Sequence, residues 1–177
     1  MKKTLTLLDL YEAIKPKYII FCDMDGVLVD FDKGYEDLTG KHTKHVDLQD
    51  KNEFWSLLAR SLKEKNLTEY DYWVNLEWMP DGQTLWNYIK GYNPYILTAP
   101  SLDPGSRQGK TEWVTRLDGM KKLYFKPAKF KDEYSGKNRI LIDDRADTIE
   151  RWRSKGGIGI LHTTAEDTIN QLKQLGL

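Results

Sequence analysis

Two short apolar runs in this chain each end in acids. Tyr18-Ile19-Ile20-Phe21-Cys22 leads into Asp23-Met24-Asp25-Gly26, and Ile140-Leu141-Ile142 leads into Asp143-Asp144. Continuous runs of β-branched, aliphatic and aromatic residues read as buried strands of a parallel sheet. Packing gives no reason to set paired carboxylates beside such strands, because a charge in a dry place is costly unless it is paired or binds a cation. The chain must therefore fold so that both acidic pairs reach a ligand. In an open parallel sheet that place is the crevice beyond the carboxyl ends of the strands.

The rest of the sequence supplies the other layers. Tyr95-Ile96-Leu97-Thr98, Leu123-Tyr124-Phe125 and Ile158 to Leu161 read as further strands. Helical patterns fall between them, over 84–90, along Trp113, Val114 and Leu117, over 147–155 and over 165–175. Strands alternating with helices predict right-handed β-α-β units and a doubly wound, mostly parallel α/β sheet of Rossmann-like form. Residues 33–79 break this rhythm. Phe54, Leu57, Leu58 and Leu62 recur at helical spacing, and Met79-Pro80-Asp81-Gly82 then breaks the chain. The expected organisation is an α/β core of residues 1–32 and 80–177 with a small helical cap, 33–79, inserted after the first strand. Pro100, Pro104 and Gly105 predict a loop after the second strand. Leu7, Leu8, Leu10, Tyr11 and Ile14 predict a short amphipathic N-terminal helix packed on its own domain, with a homodimer contact as the alternative.

Composition narrows the function classes. Lys plus Arg and Asp plus Glu number 27 each in 177 residues, so no net basic field marks a dedicated duplex-DNA binder. No segment approaches the about 20 apolar residues of a membrane span, and Asp9, Glu12 and Lys15 interrupt any signal-like start. Cys22 is the single cysteine, which fits a reducing, cytoplasmic compartment and a small core residue.

The strand ends carry chemistry as a set. Asp23 and Asp25, Thr98, Lys129 and the Asp143-Asp144 pair all follow strands and meet if those strands are neighbours. A carboxylate can attack phosphorus and split one hard step into two. Carboxylate and phosphate repel each other, so a cation is needed, and Mg²⁺ suits a few acids plus a phosphate. A second carboxylate two residues on can protonate the leaving oxygen and then activate water. A hydroxyl and a lysine can hold the remaining phosphate oxygens.

These residues resemble the haloacid dehalogenase superfamily. Asp23-Met24-Asp25-Gly26-Val27-Leu28 is similar to its first motif, Thr98 to its second, Lys110 to the third-motif lysine and Asp143-Asp144 to the fourth, over roughly residues 18–162. Within that superfamily the chain resembles the 5′(3′)-deoxyribonucleotidases. That likeness rests on the extension through Asp30-Phe31, on Phe54-Trp55, on Leu76 to Gly82 and on Gly109 to Val114. The resemblance implies Asp23 as nucleophile and Asp25 as general acid and base. It implies Mg²⁺ held by Asp23, by the backbone carbonyl of Asp25 and by Asp143 or Asp144. It also implies phosphate contacts from Thr98, Lys110 and Lys129, and a base pocket of Phe31, Phe54 and Trp55. The expected substrate is a (deoxy)ribonucleoside monophosphate.

The chain departs from that pattern at Ala99, where the family usually has serine, and along Ser101 to Gln108. Plainer roles compete at several positions. Aromatics on a small cap usually form its core, the competing reading for Phe54 and Trp55. Trp73, Trp78, Trp86, Trp113 and Trp152 are expected in core or rim packing. His42 and His45 are expected on a solvated loop for want of further ligands, and His162 at a surface strand end. Arg145, next to the Asp143-Asp144 pair, is expected to support that pair from behind or to form a salt bridge. Two other functions fit the sequence: a phosphatase for another small phosphoester or a nucleic-acid 3′-phosphate, and a nucleotide-binding module without turnover.

Overall fold

The computed structural model describes residues 18–43 and 51–177. The expected N-terminal helix and His45 lie outside the described residues. Five strands, β1 (Ile19–Cys22), β2 (Tyr95–Thr98), β3 (Lys122–Phe125), β4 (Arg139–Asp143) and β5 (Ile158–Leu161), form one sheet in the order β3-β2-β1-β4-β5. Every pairing is parallel. Helices α1 (Phe31–Thr39), α2 (Lys51–Glu64) and α3 (Glu69–Asn75) form the insert after β1. Helices α4 (Gly82–Ile89), α5 (Pro104–Trp113), α6 (Ala146–Ser154) and α7 (Ala165–Gln174) flank the sheet. Among the described residues no helix is long and apolar enough to cross a membrane.

Alternation along the strands builds two hydrophobic layers. Ile20, Cys22, Ile96, Ile140, Ile142 and Ile160 pack with Leu85 and Ile89 of α4, Trp113 of α5 and Leu172 of α7. Phe21, Leu97 and Leu141 point the other way, onto Ile149 and Trp152 of α6. Helices cover both faces of the central strands, so β1, β2 and β4 are mainly apolar along their middles, while the edge strand β3 is only half-buried. Cys22 is wholly buried in this core, as expected, and burial pushes its thiol pKa well up.

The chain runs outward from β1 through β2 to β3, then crosses back to β4. The switch in direction therefore lies between β1 and β4, where such sheets open a crevice. Register fixes what faces that crevice. Cys22 pairs with Ile142, and the Asp23 amide donates to the Ile142 carbonyl at 2.9 Å. Asp23 and Asp143 thus leave adjacent strands at the same level.

The insert leaves and rejoins the core through two antiparallel segments. Val29 bridges Trp78, Asp30 N–H donates to the Glu77 carbonyl at 3.0 Å, and Met79 N–H donates to the Leu28 carbonyl at 2.8 Å. Asp30 then caps α1 by accepting from the Lys33 amide at 3.0 Å, and Gly40 ends that helix in the left-handed region. Thr68 and Asp71 form a reciprocal capping box that starts α3.

Helix α3 lies hard against α5. A Cβ at Gly105 would stand 2.9 Å from the Tyr70 nitrogen, and one at Gly109 would stand 2.6 Å from the Trp73 Cβ and 2.8 Å from the Tyr70 carbonyl. The two glycines, one helical turn apart, let the backbones meet. Trp113 Nε1 donates to the Leu76 carbonyl and Arg116 Nη2 to the Val74 carbonyl, both at 2.8 Å, which fastens the end of α3 to the end of α5.

Two local expectations are corrected. Residues 104–108 open α5 and are not loop. Asp103 caps the helix by accepting from the Gly105 amide at 2.7 Å, and Pro104 occupies the first turn, where its missing N–H costs nothing. His162 is buried, with its Nδ1 2.8 Å from the Thr168 hydroxyl of α7, so it does not end its strand at the surface.

Candidate active site

A tight loop, Asp23 to Asp30, follows β1. The Met24 carbonyl accepts from the amides of Leu28 and Val29, and the Gly26 amide donates to the Val29 carbonyl, each at 2.9 Å. Gly26 takes φ 72°, and a Cβ there would fall 2.5 Å from Asp144 Oδ2. Glycine is needed at this position for its conformation and for the acid that lies against it.

Three carboxylates converge beside this loop. Asp23, Asp143 and Asp144 each offer an oxygen, and these oxygens lie within 4.8 Å of one another. Lys131 sits among them, with Nζ 2.6 Å from Asp23 Oδ2 and 2.7 Å from Asp143 Oδ2. Asp23 Oδ1 accepts from the Met24 amide at 2.7 Å, and Asp143 Oδ1 from the Arg145 amide at 3.0 Å. Burial, with Asp23 adding to it, raises Asp143 to about 7 against the attraction of Lys131. Desolvation by the cleft, then Asp23 and Asp143, raises Asp144 to about 7. Carboxylates this crowded gain from a cation, and a small set of hard oxygen donors fits Mg²⁺.

Asp25 stands apart from that set. Its Oδ2 accepts from Lys110 Nζ, which also donates to Thr98 Oγ1 at 3.0 Å and to the Ala99 carbonyl at 3.1 Å. Burial pushes the Asp25 carboxyl up while Lys110 pulls it down. Its Oδ1 is buried and has no hydrogen-bond partner among the described residues. The side chain of Asp25 is thus engaged by a lysine and does not join the metal-type cluster.

A cavity of about 370 Å³ opens over Asp23, Asp25, Lys131 and Asp144. Phe31, Trp55 and Trp73 form its aromatic wall, and Ser101 and Arg145 stand at its edge. Trp55 is 39% exposed at the mouth, whereas Trp73 is almost wholly covered. The Arg145 side chain forms a salt bridge with Asp147 at 3.2 Å.

The fold brings Asp23, Asp25, Thr98, Lys110, Asp143 and Asp144 to the same end of β1, β2 and β4. Two expected residues stand elsewhere. Lys129 is exposed, with its ammonium over the Phe130 ring, and Lys131 occupies the cleft instead. The segment Ala128–Tyr134 is a 3₁₀ helix, whose three-residue repeat puts Ala128 and Lys131 on the cleft side and turns Lys129 out. Phe54 is buried behind the wall, stacked on Tyr35 at 4.3 Å between centroids, and does not line the cavity. Trp73 takes a place in the wall that its sequence position did not reveal. Its spacing from Glu69 on a capped helix was the available signal.

No protein-family model and no curated protein matches the chain by sequence. Solved structures do match in fold. A haloacid dehalogenase-like hydrolase, SP0104 from Streptococcus pneumoniae, superposes with a TM-score of 0.54 at 14% identity, over 86% of this chain and 90% of that one. A putative beta-phosphoglucomutase from Thermotoga maritima gives 0.54 at 17% identity, over 89% and 99%. A magnesium complex of a haloacid dehalogenase family enzyme from Bacteroides thetaiotaomicron gives 0.54 at 15%, also over 89% and 99%. The chain has the haloacid dehalogenase-like fold: a five-stranded parallel sheet with a helical insert after its first strand.

Proposed function

We propose that the protein is a Mg²⁺-dependent phosphomonoesterase that works through an aspartyl-phosphate on Asp23, with a nucleoside monophosphate as substrate. The observation that carries this reading is the meeting of Asp23, Asp143, Asp144 and Lys131 on one side of a cavity with the Asp25–Lys110–Thr98 group beside it. A catalytically silent binding module would have no use for a buried second carboxylate with one oxygen left unpartnered.

Asp23, Asp143 and Asp144 would hold Mg²⁺, which supplies positive charge against the repulsion between carboxylate and phosphate. The Asp23 carboxylate attacks phosphorus as the ester P–O bond breaks. Asp25 gives its proton to the departing oxygen, releasing the alcohol. A water then loses a proton to Asp25 and attacks the aspartyl-phosphate. The Asp23–phosphorus bond breaks, inorganic phosphate leaves, and both carboxyls return to their starting forms. Lys131 stabilises charge on the attacking carboxylate and the phosphoryl oxygens.

The nucleotide preference rests on the exposed face of Trp55 with Phe31 beside it, since planar aromatic faces suit a base and the cavity is the size of a small-ligand site. The exposed edge of Trp55 leaves the mouth open, which favours testing a 3′-phosphorylated oligonucleotide too. A phosphate-release screen over nucleoside monophosphates, sugar phosphates and such oligonucleotides, with Mg²⁺ and with chelator, tests the reading. Among the screened esters, the fastest release is expected from nucleoside monophosphates, and chelator should abolish it. Absence of Mg²⁺-dependent release from every ester would overturn it.

A further inference from the structure

A lysine ammonium has three donors, and those of Lys110 go to Asp25 Oδ2, the Thr98 hydroxyl and the Ala99 carbonyl. None remains for a phosphate oxygen while these bonds stand. The side chain is completely buried. Its Nζ also lies 4.3 Å from the centroid of the Trp73 ring. A desolvated ammonium is drawn strongly to an indole face, so the ring closes the cage that the three acceptors begin.

Trp73 is itself held in place. Its Nε1 donates to Glu69 Oε2 at 2.6 Å, and the Ser101 hydroxyl donates to the same oxygen at 3.3 Å. Its ring stacks with Phe31 at 5.3 Å, and Gly109 of α5 presses against its Cβ. The insert therefore touches Lys110 through this indole.

We infer that Trp73 is a positioning residue for Asp25, acting through Lys110. The ring fixes the ammonium, and the ammonium fixes Asp25 Oδ2. The other oxygen, Oδ1, is buried and has no hydrogen-bond partner among the described residues. Asp25 lines the cavity, so in the proposed reaction Oδ1 is the oxygen left to carry the proton. Loss of the ring frees a side chain with four rotatable bonds, and the carboxylate loses its set orientation. The inference rests on the reading that Asp25 is the proton donor of a phosphatase.

Two esters of like shape separate this role from mere lining of the cleft. Phenyl phosphate has a more basic leaving group than 4-nitrophenyl phosphate and depends more on a placed acid. The ratio of kcat/KM, nitrophenyl over phenyl, is measured on the Mg²⁺-loaded full chain. kcat/KM reports only steps through the first irreversible one, so the later hydrolysis does not enter. Because general acids contribute about 10²–10⁴-fold, Trp73→Leu is expected to raise the ratio about tenfold, and Trp73→Phe, which keeps a ring, less than about threefold. If Trp73→Leu does not fold, Glu69→Ala frees the indole N–H and is expected to raise the ratio about threefold, a partial loss of the same effect. A ratio unchanged in Trp73→Leu, or in Glu69→Ala where that variant is used, overturns the inference and leaves the phosphatase reading intact. A wild-type chain that hydrolyses neither these esters nor the screened ones overturns that reading and this inference with it.

Discussion

The ammonium of Lys131 lies 2.6 Å from Asp23, the carboxylate proposed to attack phosphorus. Burial alone would pull the lysine's pKa down, yet Asp23 and Asp143 overcome it and hold the pKa above its ordinary value. The site thus carries a fixed positive charge before any metal arrives. Lys131→Met should lower turnover about 10²–10³-fold, as loss of one charge-stabilising donor does. Breaking a buried pair costs about 3 kcal/mol at the low end of the usual range, because Asp143 can take up a proton. Thermal unfolding of the metal-free variant should fall by on the order of 10 °C, and a melting curve unchanged from wild type would contradict the pairing.

Asp23→Asn should abolish phosphate release while leaving circular dichroism and melting temperature close to wild type. The amide cannot attack phosphorus, but Lys131 keeps Asp143 as a partner at 2.7 Å. Release at the wild-type rate would remove Asp23 from the reaction.

Metal binding should strengthen as pH rises from 6 to 8. Asp143 and Asp144 hold protons up to about 7 in the folded, metal-free protein, and a cation must displace them. Unfolded carboxyls lose theirs near 4. Between those pH values the folded chain carries more protons, so this pair makes metal-free stability fall as pH rises. Mg²⁺ titration calorimetry in buffers of different ionisation heat should show proton release that fades above pH 8. Binding heats independent of the buffer at pH 6.5 would count against it.

Trp55 and Phe54 should part company on mutation. Trp55→Ala removes an exposed face at the cavity mouth and should raise KM for a nucleoside monophosphate about tenfold, the scale of one base–aromatic stack. Phe54→Ala empties the stack with Tyr35 and should cost about 3–5 kcal/mol of stability. Equal stability losses from the two would show that Trp55 is packing as well.

Chemistry was legible where it was local. Asp23-Met24-Asp25-Gly26 and Asp143-Asp144 are unreasonable as packing, so composition at two strand ends was enough to find them. Thr98 followed from strand order. Lys131 was not legible, because Lys129 and Lys131 differ only in which side of a 3₁₀ turn they occupy, and that is set by how the segment Ala128–Tyr134 lies on the sheet. Trp73 is packed in the core as expected, but that it also lines the cleft while Phe54 does not was hidden for a similar reason. Both are aromatics on helices of one insert, and only the packing of α3 on α5 turns one toward the cleft. Residues 104–108 looked like loop because Pro104 and Gly105 break helices in their interiors. Here one starts a helix and the other lets a neighbouring backbone approach.

The glycine seam between α3 and α5 should also divide the insert by rate. Amide hydrogen exchange follows cooperative opening units, not sequence limits. Helix α3 shares its backbone contact with the core through Gly105 and Gly109, whereas α2 meets its neighbours through the side chains of Phe54, Leu58 and Leu62. The amides of α3 should exchange as slowly as those of α5, and those of α2 should exchange sooner. The cleft would then have one wall, Trp73, that keeps time with the core sheet, and another, Trp55, that opens on its own clock.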